Sequence, residues 1–292
     1  MKPAPFAYHR PETVDEALAL LAAHGPGAKP LAGGQSLIPA MNFRLARPAV
    51  LVDLNRIAAL ASVREETDDL RIGTMTRQRT VERDPLARRR APLLTEALPH
   101  VAHAQIRNRG TLGGSVAHAD PAGEIPAVLL ALEARFDLRG PGGTRTVPAD
   151  RFFTGLFETA LAPGELLVEI AIPAMRARTG WAFLEVARRH GDYALAGVAA
   201  TVTLDDAGRC REARIALLGV GEGPVLARRA AKSLAGEPPT DKLLRDAAAA
   251  AAAKDIDPPG DIHASAAYRR QLVAVLTRRA LERAVARARG AA

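Results

Sequence analysis

Two short glycine pairs constrain this chain more than any other feature. One is Ala32-Gly33-Gly34-Gln35-Ser36 and the other is Thr111-Leu112-Gly113-Gly114-Ser115. Glycine tolerates positive φ and has no Cβ to hold a ligand away. Successive backbone N–H groups in such a loop can therefore converge on an anion. A following helix adds the partial positive charge of its N-terminus. Ser36, Thr111 and Ser115 offer hydroxyls beside these amides. Taken singly, each loop reads more readily as a tight turn. Taken together, 80 residues apart from Gly33 to Gly113, they can close on one diphosphate from opposite sides.

The surrounding pattern sets the loops on an α+β scaffold. Thr13 and Glu16 form a capping box, and Val14, Ala17, Leu18 and Leu21 mark one buried helix face ending at Gly25. A strand over Lys29–Ala32 enters the first loop, and a helix starts near Leu37. Ala49–Leu54 reads as a strand, and Ala61–Arg64 with Leu70–Gly73 as a hairpin. Thr80–Asp84, Leu93–Ala102 and Ile125–Leu132 read as helices, and a second hairpin turns at Gly140–Gly143. Leu166–Ile172 is a strand stopped by Pro173, and the pattern breaks over Ala174–Gly180, where we place a domain boundary. Three strands follow, at Trp181–Ala187, Ala194–Leu204 and Ala213–Val220. The helices Val225–Ala235, Asp241–Lys254 and His263–Arg289 complete the chain. Strands and helices that alternate and then segregate argue for α+β and not for a doubly wound sheet.

Composition closes several other routes. No apolar run reaches the roughly 18 to 20 residues of a membrane span, and the N-terminus lacks a hydrophobic signal core. The expected location is cytoplasmic, with any membrane contact peripheral and made through a larger complex. Cys210 is the only cysteine, so the chain cannot ligate an iron–sulfur cluster by itself. The net charge of +8 is concentrated at the end. From Tyr268 onward there are seven arginines against Glu282 alone, on a helical stretch without further aromatics. That fits a solvated face first, a docking face second and nucleic acid last. His100, His103 and His118 lack the further ligands a metal site needs. Glu124 is a helix cap or a partner for a cofactor hydroxyl. Arg107 and Arg109 face either a diphosphate or solvent.

The loops, with Asn108-Arg109-Gly110-Thr111-Leu112-Gly113-Gly114, His118-Ala119-Asp120-Pro121-Ala122 and Arg188-Arg189-His190-Gly191-Asp192-Tyr193-Ala194, resemble one family. It is the FAD-binding medium subunit of molybdenum hydroxylases, of the carbon monoxide dehydrogenase and xanthine dehydrogenase type. The resemblance covers almost the whole chain. It implies an FAD-binding domain of the vanillyl-alcohol-oxidase/PCMH type over 1–175, with subdomains at about 1–57 and 58–175. A small C-terminal domain of a three-stranded antiparallel sheet plus helices would span 176–292.

The resemblance also implies the site. Lys29, Pro30, Leu31, Ala32, Gly33, Gly34, Gln35, Ser36 and Leu37 would line the FAD diphosphate with Thr111, Gly113, Gly114, Ser115 and Ala117. Asp120 would sit near sugar hydroxyls, Leu167 would pack on the cofactor, and Tyr193 would lie against the isoalloxazine. Gln35 departs from the histidine that relatives often carry, so no proton-transfer role is assigned to it. No catalytic residue and no metal ligand is assigned to this chain. FAD would be bound non-covalently, because neither loop holds a His or a Cys.

The function implied is electron transfer. A large partner would carry molybdopterin, a small partner two [2Fe-2S] clusters, and this chain would pass electrons through FAD to an external acceptor. The assembly would be a dimer of heterotrimers. Two alternatives stay open: a stand-alone flavin oxidase of the vanillyl-alcohol type, and a basic binding module using the arginine-rich last helix.

Overall fold

The amphipathic first helix organises the N-terminal part. Helix Val14–His24 is capped by the Thr13 hydroxyl, which accepts from the Glu16 N–H. It buries Ala17 and Leu21 against a parallel sheet ordered Ala7–His9, Val50–Asp53, Ala28–Leu31. Leu31 is in register with Asp53. The first glycine loop and the Asp53-Leu54-Asn55 turn therefore leave this sheet side by side. The computed structural model describes residues 1–290.

A five-stranded antiparallel sheet follows, ordered Val63–Glu66, Asp69–Gly73, Leu166–Pro173, Arg135–Gly140, Gly143–Pro148. Between its second and fourth strands the chain makes a run of short helices. The segment expected as one helix over Leu93–Ala102 is helical only over Pro92–Ala97 and tightens to a 3-10 turn at Leu98–His100. Pro99 has no N–H to continue the ladder. Helix Glu124–Ala131 is buried at every position. It packs on its own domain and against the strands Ala194–Leu204 and Cys210–Leu218.

The C-terminal sheet has four strands, Thr179–Ala187, Ala194–Leu204, Cys210–Leu218 and Val225–Leu226. The three long ones match the three expected. Val225 and Leu226, expected to open a helix, instead pair with Leu217 and Ala216 at the sheet edge. The helix begins only at Arg228. The β-branched Val225 fits a pleated edge better than a helix start. Helices Asp241–Ala250 and Ala266–Ala288 cover one face.

Alternation along these strands joins the two parts. Ala182, Val198, Ala200, Ile215 and Leu217 pack against the covering helices. Phe183, Ala199, Ala216 and Leu218 point the other way, into the main core. A period of two assigns neighbouring residues to opposite faces, which is why all of Ala194–Leu204 is buried. Glu96, on helix Pro92–Ala97, clamps the same seam. Its carboxylate accepts from Trp181 Nε1 and the Phe183 N–H, each at 3.1 Å, and from Arg287 at 2.6 Å.

The last helix lies close on the sheet. A Cβ at Gly180 would come 1.8 Å from the Ala284 carbonyl oxygen and 2.5 Å from the Ala288 nitrogen. Both are helix backbone and have no rotamer to yield. Gly180→Ala is expected to cost about 3 kcal/mol or more, the upper end for overpacking. Thermal unfolding checks this: a fall of roughly 6–12 °C follows from about 2–4 °C per kcal/mol in a chain of this size.

Candidate cofactor site

The two glycine loops meet backbone to backbone. A Cβ at Gly33 would lie 2.4 Å from the Arg109 carbonyl oxygen and 2.8 Å from the Gly110 Cα. A Cβ at Gly114 would sit 3.4 Å from the Ala32 Cβ. Glycine is required at Gly33 because the second loop occupies the space a side chain needs. Gly34 has φ +74°, the left-handed region glycine adopts without strain.

The loops differ in what they have left to offer. In the second, the Leu112 and Gly113 amides donate to the Thr76 and Thr74 carbonyls. The Gly114 amide donates to Thr111 Oγ1 at 3.0 Å, and Ser115 N–H to the Thr111 carbonyl. In the first, the N–H groups of Gly33, Gly34, Gln35 and Ser36 have no acceptor among the described residues. Unspent consecutive amides form an anion-binding concavity. The helices after the loops, Leu37–Asn42 and Leu112–His118, are only 6 and 7 residues long. Their end charges add less to anion binding than the sequence pattern suggests, and the free amides of the first loop carry that role.

A polar brace, absent from the sequence reading, holds this junction. The Tyr8 hydroxyl donates to the Asp53 carboxylate, which also accepts from the Asn55 side chain and, at 2.9 Å, from the Asn55 N–H. Asn55 Nδ2 donates to the Ala32 carbonyl at 3.0 Å. The Arg77 guanidinium then donates to Asn55 Oδ1 and to the Arg109 carbonyl, both at 2.6 Å. Burial would push the Asp53 carboxyl up, but the hydrogen bonds from Tyr8 and Asn55 outweigh it and hold it below the usual carboxylate range. Burial, with the Arg109 guanidinium nearby, pulls Arg77 down from the usual arginine range. The only hint in sequence was an Asp at the end of a strand and an Asn just past it.

A cleft of about 380 Å³ opens on the first loop, lined by Leu31–Gln35 and faced by Tyr8, Asp53, Asn55 and Arg109. No residue from Thr111 to Ser115 lines it, nor does Tyr193. Arg109, just before the second glycine pair, lines it together with Ala32 and Gly33, so the cleft borders the junction of the two loops.

The other expected residues fall in distinct places. Lys29 and Pro30 are exposed on the strand before the first loop, and Leu31, Ala32, Gln35 and Leu37 are half-buried. Gln35 Nε2 turns back to the Gly33 carbonyl at 3.1 Å. Ser36 is exposed and Thr111 fully buried as a helix cap; Ser115 is half-buried and Ala117 exposed. Asp120 accepts the Ala122 N–H at 2.9 Å. Leu167 is 6% exposed, within the main core. Tyr193 is 70% exposed at the domain seam. Local desolvation of its hydroxyl end, then the charges of Asp120 and Glu124, push that hydroxyl up, although most of the residue is exposed. A Cβ at Gly191 would strike the His103 ring at 2.4 Å, so His103 props the loop that carries Tyr193.

Several weaker candidates resolve. Arg107 is buried and pairs with Glu82 at 2.8 Å while donating to the Val101 carbonyl at 2.9 Å, an internal role. His100 bonds Glu185, His103 lies beside His190, and His118 stacks near Phe157, so the three histidines do not converge. Arg269, Arg270 and Arg287 of the last helix turn inward, to the Gly219, Ile256 and Trp181 carbonyls at 2.8, 2.9 and 2.7 Å. Burial pushes the Cys210 thiol up to about 11, which leaves it inert.

Comparison with known proteins decides the family. Residues 4–175 match the model for the FAD binding domain in molybdopterin dehydrogenase, and 181–284 the CO dehydrogenase flavoprotein C-terminal domain. The chain belongs to the FAD-binding medium subunits of the molybdenum hydroxylases. It is 43% identical to the 6-hydroxypseudooxynicotine dehydrogenase complex subunit alpha of Paenarthrobacter nicotinovorans, over 99% of this chain and 97% of that one. It is 42% identical to the carbon monoxide dehydrogenase medium chain of Hydrogenophaga pseudoflava, over 98% and 99%. A solved carbon monoxide dehydrogenase from the same organism superposes with a TM-score of 0.95, at 43% identity over 98% and 99% of the two chains. Quinoline 2-oxidoreductase from Pseudomonas putida 86 superposes at 0.93, with 39% identity over 100% and 99%. As a member, this chain is an FAD-binding oxidoreductase subunit, and the molybdenum and iron–sulfur centres belong to other subunits of the homologous complexes. No helix among the described residues is long and apolar enough to cross a membrane.

Proposed function

We propose that this chain is the electron-relaying middle subunit of a three-part molybdenum hydroxylase. A small [2Fe-2S] partner would deliver electrons, a large molybdopterin partner would oxidise the substrate, and an external acceptor would take the electrons onward. The assembly would be a dimer of such heterotrimers. The observation that carries this reading is the junction at Gly33, where four unspent amides lie beside the second loop's backbone. An FAD diphosphate carries two negative charges and accepts such N–H groups, so the residues present fit the group.

Gly33, Gly34, Gln35 and Ser36 would hold the diphosphate, with Lys29, Pro30, Leu31, Ala32 and Leu37 shaping the approach. Thr111, Gly113 and Gly114 would act by fitting the second loop close, and Ser115 by its hydroxyl. Ala117, Asp120 and Leu167 would line the remainder, and Tyr193 would cover the isoalloxazine. We divide the chain at 175/176 on the same reading. FAD supplies the redox chemistry when bound; this chain binds it, orients it and limits access to it.

The test is the visible spectrum of the purified full chain, alone and co-expressed with candidate large and small partner subunits. One bound, acid-releasable FAD per chain supports the reading. Absence of flavin in both preparations would overturn it. Tyr193→Ala offers a finer check. Because Tyr193 is exposed, its loss should change stability by less than about 0.5 kcal/mol, while unquenching the fluorescence of the bound flavin. Unchanged fluorescence would remove Tyr193 from the ring.

A further inference from the structure

The domain seam holds two carboxyl groups and an imidazole with no part in the binding just described. Glu124 opens the buried helix of the first domain and is 8% exposed. Glu185 comes from the first strand of the C-terminal sheet, and its side chain is 7% exposed. Its Oε1 lies 3.2 Å from His100 Nδ1. Its Oε2 is buried with no hydrogen-bond partner. The His100 side chain is 37% exposed and rests on Phe183, so it joins the buried pair to solvent. The charged or titratable groups bearing on Glu124 are Glu185, His100 and Asp120. Tyr193 senses Asp120 and Glu124, and His100 also senses Glu96.

We propose that Glu124, Glu185 and His100 form one proton-holding cluster that takes up a proton when the flavin is reduced. The proposal rests on FAD lying against Tyr193. A buried carboxyl that feels a second negative charge holds its proton more tightly. The protein shows this bias. Burial, followed by the Glu185 charge, raises Glu124 to about 8, and the Glu185 contact raises His100. Reduction by two electrons with one proton leaves the isoalloxazine one negative charge richer. A new anion beside a carboxylate raises its proton affinity further. The balance is then two electrons and one proton to the ring, and one proton from solvent through His100 to Glu124.

Each proton coupled to a two-electron step makes the equilibrium tenfold less favourable per pH unit, which is about 30 mV. The experiment is a spectroelectrochemical titration of FAD in the complex from about pH 7 to about pH 9.5. Above about pH 8, where Glu124 is ionised before reduction, the native midpoint should fall by about 60 mV per pH unit, the value for two protons. Glu124→Gln, a neutral isostere, should fall by about 30 mV per pH unit, the one-proton value. Glu185→Gln removes the repelling neighbour and should move the steep region to lower pH. Equal slopes in native and Glu124→Gln proteins would overturn the proposal. If Glu124→Gln fails to retain FAD, the Glu185→Gln slope decides, and an unmoved steep region overturns it. Native protein without flavin would instead sink the FAD reading itself.

Discussion

Gly33→Ala is expected to weaken FAD binding while leaving the chain folded. The added methyl would meet the Arg109 carbonyl oxygen at 2.4 Å and the Gly110 Cα at 2.8 Å. Neither atom can rotate away, so the loops must part. The Arg109 carbonyl is further pinned by Arg77, itself held through Asn55 to the Ala32 carbonyl. Moving one loop therefore strains the whole brace. Overpacking of this kind costs about 1–3 kcal/mol. Drawn from cofactor binding, that is a roughly 5- to 150-fold loss of affinity at 1.4 kcal/mol per tenfold. Fluorescence titration with FAD reads the loss, and circular dichroism should show unchanged secondary structure. Native affinity in Gly33→Ala would mean that the loop junction is not the cofactor site.

Glu124→Gln should make the protein more stable, increasingly so as pH rises. The Glu124 carboxyl is raised from 4.5 to about 8, chiefly by burial. A raised carboxyl favours folding fully below its unfolded value, near 4.5, and loses that contribution as pH climbs to about 8. At about 1.36 kcal/mol per pH unit, this group alone removes about 3 kcal/mol by neutral pH and roughly 4–5 kcal/mol above pH 8. Glutamine keeps the shape and has no proton to lose. The two proteins should match in urea unfolding near pH 4.5 and separate steadily above it. A constant gap across pH would show that Glu124 keeps its ordinary proton affinity. This stability profile needs no flavin, so it probes the buried carboxyl independently of the redox experiment.

Much of the scaffold was legible because it is written in short-range patterns. The stripe Val14, Ala17, Leu18 and Leu21 gave the first helix, and the three long C-terminal strands fell within three residues of the bounds read for them. Departures occurred where a local rule met a tertiary partner or a missing N–H. Val225 joined a sheet edge because Leu217 offered it a neighbour. The helix from Leu93 tightened where Pro99 broke its ladder. Arginines of the last helix read as a solvated face, yet Arg269 reaches the Leu195 and Gly219 carbonyls. Long side chains carry their charge to partners that periodicity does not see.

The glycine pairs divide in the same way. The sequence by itself determined that two turn-forming, anion-competent loops lie 80 residues apart on an α+β chain, and their motifs pointed to the family. Their unequal roles were decided only in the folded protein. The second loop spends its amides on Thr74, Thr76 and Thr111, and the first keeps its own free. The Asp53–Asn55–Arg77 brace and the Glu124–Glu185–His100 cluster likewise join residues up to 22 and 85 positions apart. Hydrogen-bond satisfaction and burial are properties of neighbours in space, and only the tertiary structure chooses those neighbours.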